Sequence, residues 1–548
     1  MSSSLLTPHS SRAGWPSRFH LLGLALIGAA AFGLTFGYWW TRPRLRHIDA
    51  LAHLPWTYRW RDPGLFPNDI VTDYFHRYHL TPGVRAVYYV LVGLAGIDLT
   101  AASRLVAAGC FVATFGLLAA TVRVGGARWP AVVAGVAGGL ALLALPRTDG
   151  YSPFYWLEGG VSRCPAAAVL LLAVYGLARP SSAAVNVALL LGALTYPPAL
   201  VIVAAAAVIA GLARRPREAV GDLLRLTPGA AAAALVIGLW YPLGVDERFG
   251  PLVTWADVAS APEIAAHHFP HGPALVTGTL LPWLTVNAPA LAALAVQACV
   301  AGFDRLWRAS ATLLAAGLVA AVASHVLWPR LYDVERYISW PQRVVLVTTV
   351  AAVLARLADR PAAGRLAVAA VGVYLVVAAA AGAYRFSRFP PLWEVPAAVT
   401  DFLAAAPADA LVAAYPGDGD AVPYFARRSL LVHPVALYPY HRDFHREMVA
   451  RFEATRDAVY ATDWAAVRRL RDRYSVRYLV VDRSRFRPDR YEAMLSRHVC
   501  LIPMAEAGYM ADLLARGPDQ PFVLRSPPPA AVVAEDGDDV IVDLTRLP

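Results

Sequence analysis

Residues 41–83 read TRPRLRHIDALAHLPWTYRWRDPGLFPNDIVTDYFHRYHLTPG. The stretch is dense in charges and aromatic rings, and it follows an apolar run from Phe19 to Trp40. About twenty apolar residues, rising about 1.5 Å each, cross the ~30 Å hydrocarbon core of a bilayer. The run therefore reads as a membrane-spanning helix, and the stretch as the first loop beyond it. Arg12 and Arg18 precede the run, and Tyr38, Trp39 and Trp40 close it without a small-residue cleavage site. It reads as a retained signal anchor rather than a cleaved signal peptide.

Working outward, the whole chain is 57% hydrophobic and only 16% charged, against about 25% charged in soluble domains. That balance places it among polytopic membrane proteins. The net charge of +10 does not point to nucleic acid, because arginines flanking membrane spans set orientation and meet anionic lipid. The chain contains no lysine. A P-loop lysine cradling a nucleotide phosphate and a Schiff-base lysine are both excluded. Cys110, Cys164 and Cys299 lie in apolar runs and Cys500 in the polar tail, with no spacing of a disulfide framework or a metal site.

Apolar runs predict about eleven spans, near 19–40, 99–122, 129–146, 162–178, 183–195, 198–213, 229–243, 286–303, 309–328, 342–358 and 364–383. The fifth and sixth meet at Tyr196-Pro197-Pro198, where the prolines either separate two helices or kink one. Run 84–97 is short for a span and is expected to lie on the membrane or dip into it. Arginine density favours a cytoplasmic N-terminus, which with an odd number of spans puts the C-terminal tail outside. The expected division is a tail 1–18, a membrane core 19–384 with the large first outer loop 41–83, and an extracytoplasmic domain 385–548. In that last domain, strands near 409–415 and 476–482 flank helices at 441–459 and 463–473. This order predicts a small α/β unit with a parallel core and a terminal hairpin at 530–535 and 539–544.

Four carboxylates stand in the first loop: Asp49, Asp62, Asp69 and Asp73. A partly desolvated carboxylate at the membrane surface can act as general base on a hydroxyl. Asp49 lies close to the first span, while Asp62 and Asp69 frame a Pro- and Gly-rich turn. The plain alternative is that Asp residues start helices. Trp56 and Trp60 offer aromatic faces for a sugar, or ordinary interfacial anchors. Glu158 and Arg163 sit near span ends as ligand contacts or a surface ion pair. His267, His268 and His271 read first as a plain interfacial loop and second as a polar cluster suited to hydrogen-bonding a sugar or phosphate; Pro270 breaks the spacing a metal set needs. Arg336 and Arg343, seven apart, would share one helix face and suit a lipid-linked phosphate, or equally pair with Asp333 or Glu335 or meet lipid headgroups. The turn 415–420, after a strand, lacks the spacing of a dinucleotide motif, so no nucleotide site is expected there.

The pattern resembles the GT-C superfamily of membrane glycosyltransferases. The resemblance rests on Asp49 after the first span, Asp62 and Asp69 in the same loop, about eleven spans and an outer C-terminal domain. The tail also looks like that of poorly characterised bacterial members with such cores. The resemblance implies a sugar transferred from a polyprenyl-phosphate donor to a glycan, lipid or protein acceptor on the outer face of a bacterial inner membrane. Asp49, Asp62 or Asp69 would be the base, Arg336, Arg343 and Arg163 would hold donor phosphate, and membrane lipid would be the surroundings. No cofactor is required by the pattern, and a divalent metal is compatible with it. A non-catalytic scaffold for surface-polysaccharide assembly and a lipid or sugar transporter are the other expected classes.

Overall fold

The computed structural model describes residues 16–41, 44, 48–143, 158–213, 216–240, 247–254, 257, 280–327, 334–359, 366, 373, 377, 396–437, 440–487, 505–516 and 520–547. The first helix, α1, spans Arg18–Thr41. The first loop then forms three short helices, α2 (Ile48–His53), α3 (Ile70–Tyr78) and α4 (Pro82–Tyr88). The bundle continues with α5 (Leu99–Val124), α6 (Trp129–Leu143), α7 (Ala166–Ala178), α8 (Ser182–Thr195), α9 (Pro197–Leu212) and α10 (Pro216–Trp240). Helices Leu281–Ala301, Arg305–Leu327 and Val334–Ala358 complete its described part.

By length and composition, five described helices can cross a membrane: Leu99–Val124, Leu223–Trp240, Trp283–Ala301, Arg305–Ser324 and Arg336–Ala358. Shorter apolar helices include Arg18–Gly33, Trp129–Leu140, Ala166–Ala178, Ser182–Thr195 and Pro197–Leu212. The chain is thus built as a multi-pass membrane protein. The expected run 364–383 lies outside the described residues except at single positions, so eleven remains the sequence's count. At Tyr196 the two prolines separate two helices rather than bending one: Tyr196 is extended (φ −151°) and α9 starts at Pro197. Helix Val334–Ala358 sits in the middle, packed on α6, Leu281–Ala301 and Arg305–Leu327. A Cβ at Gly135 of α6 would stand 2.3 Å from the Ala351 carbonyl oxygen, so only glycine allows that approach.

The end of the bundle away from the first loop is tied by charge. An Arg356 guanidinium N–H donates to the Gly125 carbonyl and lies 3.6 Å from Asp304, and the Arg128 N–H reaches Asp359 at 3.4 Å. These contacts join the turns after α5 and before Arg305–Leu327 to the end of the central helix.

The C-terminal residues form a five-stranded sheet from β1 (Leu411–Ala414), β2 (Ser429–Leu430), β3 (Val476–Asp482), β4 (Val532–Asp536) and β5 (Asp539–Asp543), ordered β2-β1-β3-β5-β4. β1 runs parallel to both β2 and β3. Helices Arg442–Val459 and Trp464–Tyr474 make the crossover, and Asp463 caps the second by accepting the Ala465 N–H at 2.7 Å. The terminal hairpin adds β5 antiparallel to β3, so the sheet is mixed. The two-residue β2 is too short to show a strand pattern in sequence.

The first loop does not stand apart from this domain. Residues from Ala50 to Ala102 and from Ala413 to Leu547 contribute to one hydrophobic cluster. Tyr74 of α3 stacks on Phe444, with ring centroids 3.7 Å apart and planes 7° apart, and its hydroxyl contacts His441 Nδ1 at 2.8 Å. The Tyr58 hydroxyl donates to the Tyr424 carbonyl at 3.0 Å. Residues 249–253 join the same seam: Phe249 and Pro251 carbonyls accept from Phe444 and Arg442 N–H groups, and Val253 N–H donates to Tyr440. Tyr74, Phe75 and Phe444 are each 1% exposed, and burying a side chain of this size stabilises by about 1.5–3 kcal/mol.

Candidate functional site

The site begins at α2, directly beyond the first span. Ala50 and Leu51 point into the core with 0% exposure, which fixes the rotation of this one-and-a-half-turn helix and directs Asp49 elsewhere. The Asp49 carboxylate accepts a hydrogen bond from an Arg163 guanidinium N–H, forming an ion pair across 114 positions of chain. The side chains are 14% and 8% exposed. Arg163 is brought there by the turn before α7. Gly160 in that turn has φ +66°, and a Cβ there would lie 2.5 Å from the Ser103 carbonyl oxygen. Ser162 then pins the turn to the end of α3: its hydroxyl donates to the His79 carbonyl at 3.0 Å and accepts the Thr81 N–H at 3.3 Å.

His53 stands four residues after Asp49, on the same face of α2. Its ring centroid lies 4.6 Å from that of His79. The His79 Nδ1 is shielded from solvent. Burial first, then the charges of His441 and Arg336, push the His79 imidazole down to about 3. At neutral pH this ring is therefore an uncharged donor or acceptor. The Arg336 guanidinium that acts on it donates to the Tyr196 hydroxyl at 3.0 Å. Tyr196, at the break between α8 and α9, stacks on Trp340 with centroids 4.9 Å apart. A carboxylate with its arginine, two imidazoles and a second arginine with its tyrosine thus gather at the loop end of the bundle.

The other candidate residues lie in different settings. Asp69 is 6% exposed and caps α3. One oxygen accepts the Val71 and Thr72 N–H groups and the other the Thr72 hydroxyl at 2.7 Å. Burial raises its pKa, opposed by those hydrogen bonds. Asp62 is exposed and accepts the Gly64 N–H at 3.1 Å, a local turn bond. Asp73 is held between Arg59 at 2.5 Å and Arg248 at 2.6 Å. Trp56 is 1% exposed; it packs edge-on to Trp60 and beside His76, so its ring is part of the loop's core. Arg343 lies half-buried on the same helix as Arg336, two turns along. Glu158 opens the short turn Glu158–Gly160, and its side chain lies outside the described set. His267, His268 and His271 lie outside the described residues. Among the described residues no group of three His, Cys, Asp or Glu side chains is placed to hold a metal ion.

Sequence reading missed His53, His79 and Tyr196. For His53 a signal existed, since it follows Asp49 at i+4 within a helical stretch. His79 and Tyr196 acquire meaning only from neighbours distant in the chain.

No protein-family model matches the chain, and no curated protein matches it. Among solved structures it is similar to the oligosaccharyltransferase of Archaeoglobus fulgidus. Against the apo form the TM-score is 0.48 at 13% identity, covering 88% of this chain and 71% of that one. Against the form tethered with an acceptor peptide containing the NVT sequon it is 0.44 at 13% identity, with the same coverage. Against the archaeal oligosaccharyltransferase AglB in complex with an inhibitory peptide and a dolichol-phosphate it is 0.43 at 12% identity, covering 87% of this chain and 71% of that one.

Proposed function

We propose that the chain is a membrane glycosyltransferase that moves a sugar from a polyprenyl-phosphate donor to an acceptor hydroxyl or amide at the outer face of the membrane. The observation that carries the reading is the pairing of Asp49 with the shielded Arg163 at the loop end of the bundle, on the same helix face as His53 and through it His79 and Arg336. In this reading Asp49 takes the proton of the acceptor as its oxygen or nitrogen bonds to the anomeric carbon. The bond from that carbon to the phosphate oxygen breaks through an oxocarbenium-like transition state. The electron pair leaves on the lipid phosphate, whose charge Arg336 and Tyr196 stabilise. Arg163 positions Asp49 through their ion pair. The domain 385–548 forms the wall against which the first loop is held, on the extracytoplasmic side.

The test is single replacement of Asp49, Asp62 and Asp69 by Asn, with transfer measured in membranes supplied with a labelled polyprenyl-phosphate sugar. Loss of a general base lowers the rate by about 10²–10⁴, and this is expected for Asp49→Asn alone. Full activity in all three variants would sink the reading. A second reading, a non-catalytic assembly subunit, is favoured by the tightly packed seam of Tyr74, Phe444 and His441. It expects Asp49→Asn to leave surface glycan unchanged while Tyr74→Ala removes it.

A further inference from the structure

We infer that a file of bound water runs through the membrane between the helices Leu281–Ala301 and Val334–Ala358, held by uncharged polar side chains that the two helices bury against each other. The inference does not rest on the transferase reading, because none of these side chains belongs to the site at the loop end of the bundle.

Three observations carry it. First, the polar residues lie on packed faces. Trp283, Asn287, Ala290, Leu294 and Gln297 recur at helical spacing and are all buried, so they form one stripe. The helix that carries them packs chiefly on Val334–Ala358. On that partner, Thr349 stands seven residues before Arg356. The Arg356 guanidinium lies 3.6 Å from Asp304, just past the end of Leu281–Ala301. Seven residues are close to two full turns, so Thr349 and Arg356 share the side that faces the stripe.

Second, the polar atoms are orphaned. The Asn287 amide N–H donates to the Trp283 carbonyl at 2.7 Å. Its Oδ1 makes no hydrogen bond among the described residues, nor do Trp283 Nε1, Gln297 Oε1 and the hydroxyls of Thr348 and Thr349. Asn287, Thr348 and Thr349 are 0% exposed. Hydroxyls elsewhere in the bundle are bonded within their own helix. Thr114 donates to the Cys110 carbonyl at 2.8 Å, Thr121 to that of Leu117 at 2.6 Å and Ser324 to that of Ala321 at 2.6 Å. A polar atom left unpaired away from bulk solvent is costly. A buried water with several polar partners removes that cost.

Third, the orphans extend along the helix and carry no charge. Trp283 and Gln297 are fourteen residues apart, about 21 Å of helix axis within a hydrocarbon core of ~30 Å. At the end away from the first loop, the Gln297 amide N–H reaches Asp304 at 3.4 Å, beside the Arg356 cluster. Indole, amide and hydroxyl groups donate or accept hydrogen bonds without gaining charge. That set suits a neutral hydrogen-bonding molecule of the size of water, whereas a buried ion requires an opposite charge beside it.

The experiment uses the purified full chain in phosphatidylcholine nanodiscs. Brief X-ray radiolysis turns bound water into hydroxyl radicals, which oxidise the side chains next to it, and mass spectrometry reads the products. Leu294, 4% exposed, is expected to be oxidised, and Leu170 of α7, 0% exposed, is not. Oxidation of Leu294 no greater than that of Leu170 overturns the inference. Thr349→Val and Gln297→Leu should each lower oxidation of Leu294 several-fold; unchanged oxidation in both overturns it. Unfolding by denaturing detergent then separates a wet seam from a dry one. In a dry seam, an apolar residue of the same shape relieves the orphan, so Thr349→Val and Asn287→Leu would hold or raise the folding constant. Losing a partner of bound water is expected to lower it about tenfold in each. Thr114→Val, whose hydroxyl is bonded in its own helix, should change it little. Folding constants at or above wild type in both Thr349→Val and Asn287→Leu overturn the inference. If Asn287→Leu does not fold, Thr349→Val and the wild-type oxidation of Leu294 decide.

Discussion

Replacing Asp49 by Asn keeps the shape of the side chain and removes its charge. Arg163 then faces a neutral amide with only 8% of its side chain exposed to water. Breaking a buried ion pair from one side costs about 3–5 kcal/mol, because the remaining charge stays desolvated. Asp49 is 14% exposed, so the low end applies, about 3 kcal/mol, or a little over two decades in the folding constant. Arg163→Gln should cost a similar amount. The double variant, with both charges removed, should lose much less than the sum, giving a coupling of about 2–3 kcal/mol. The assay is reversible unfolding of the detergent-solubilised protein by denaturing detergent, for wild type, both singles and the double. If Asp49→Asn unfolds within ~0.5 kcal/mol of wild type, or if the singles add, the pair is not the desolvated contact described. The double variant also separates stability from chemistry. A stable double variant with full activity removes Asp49 from the reaction.

Three further outcomes are expected. Asp69→Ala removes the cap of α3 and should cost about 0.5–2 kcal/mol, with transfer per folded molecule unchanged; a loss of transfer beyond the folded fraction would contradict a capping role. Tyr74→Phe keeps the stack on Phe444 and loses the 2.8 Å contact with His441, so the seam should weaken by about 1–3 kcal/mol, read as faster amide exchange in α3 and in helix Arg442–Val459. Asp420 is 1% exposed, and burial first, opposed by the Gly417 N–H and assisted by Asp418, raises its pKa to about 7. A folded-state pKa above the unfolded 3.8 means that Asp420 is tolerated protonated and costs stability as pH rises through 7. Asp420→Asn should therefore be more stable than wild type, by a margin that grows about 1.4 kcal/mol between pH 6 and pH 9. A pH-independent margin in thermal melts would refute the raised pKa.

In the proposed reading the chemistry lies at Asp49, and the C-terminal domain sets the position of that carboxylate. α2 packs against the Glu158–Gly160 turn on one side and against residues 422–426 and 434–437 of the domain on the other. The carboxylate is therefore set by contacts from three parts of the chain. A change in the domain that shifts α2 reaches Asp49 through rigid packing, since close-packed interiors transmit small displacements rather than absorbing them.

The sequence by itself determined what local rules govern. Apolar runs long enough for a bilayer marked the helices Leu99–Val124 and Arg305–Ser324. Tyr196-Pro197-Pro198 marked a helix boundary because proline lacks the N–H an interior position needs. Asp463 marked a cap because its carboxylate reaches an N–H two residues on. The strands β1 and β3 and the terminal hairpin followed from short β-rich runs between turns. Tertiary structure gave the four carboxylates different settings. In sequence Asp49, Asp62 and Asp69 stood together. Only the folded chain spends Asp69 on its own helix, leaves Asp62 in a solvated turn, and sets Asp49 against Arg163. It also turned Trp56 from an exposed face into core and joined the first loop to a domain more than 300 positions away through Tyr58 and Tyr424. The physical reason is range. Caps, breaks and periodicity are satisfied within a few residues and are written in the local sequence. A buried ion pair or a shared core depends on which distant surfaces exclude water together, and no window of sequence contains that.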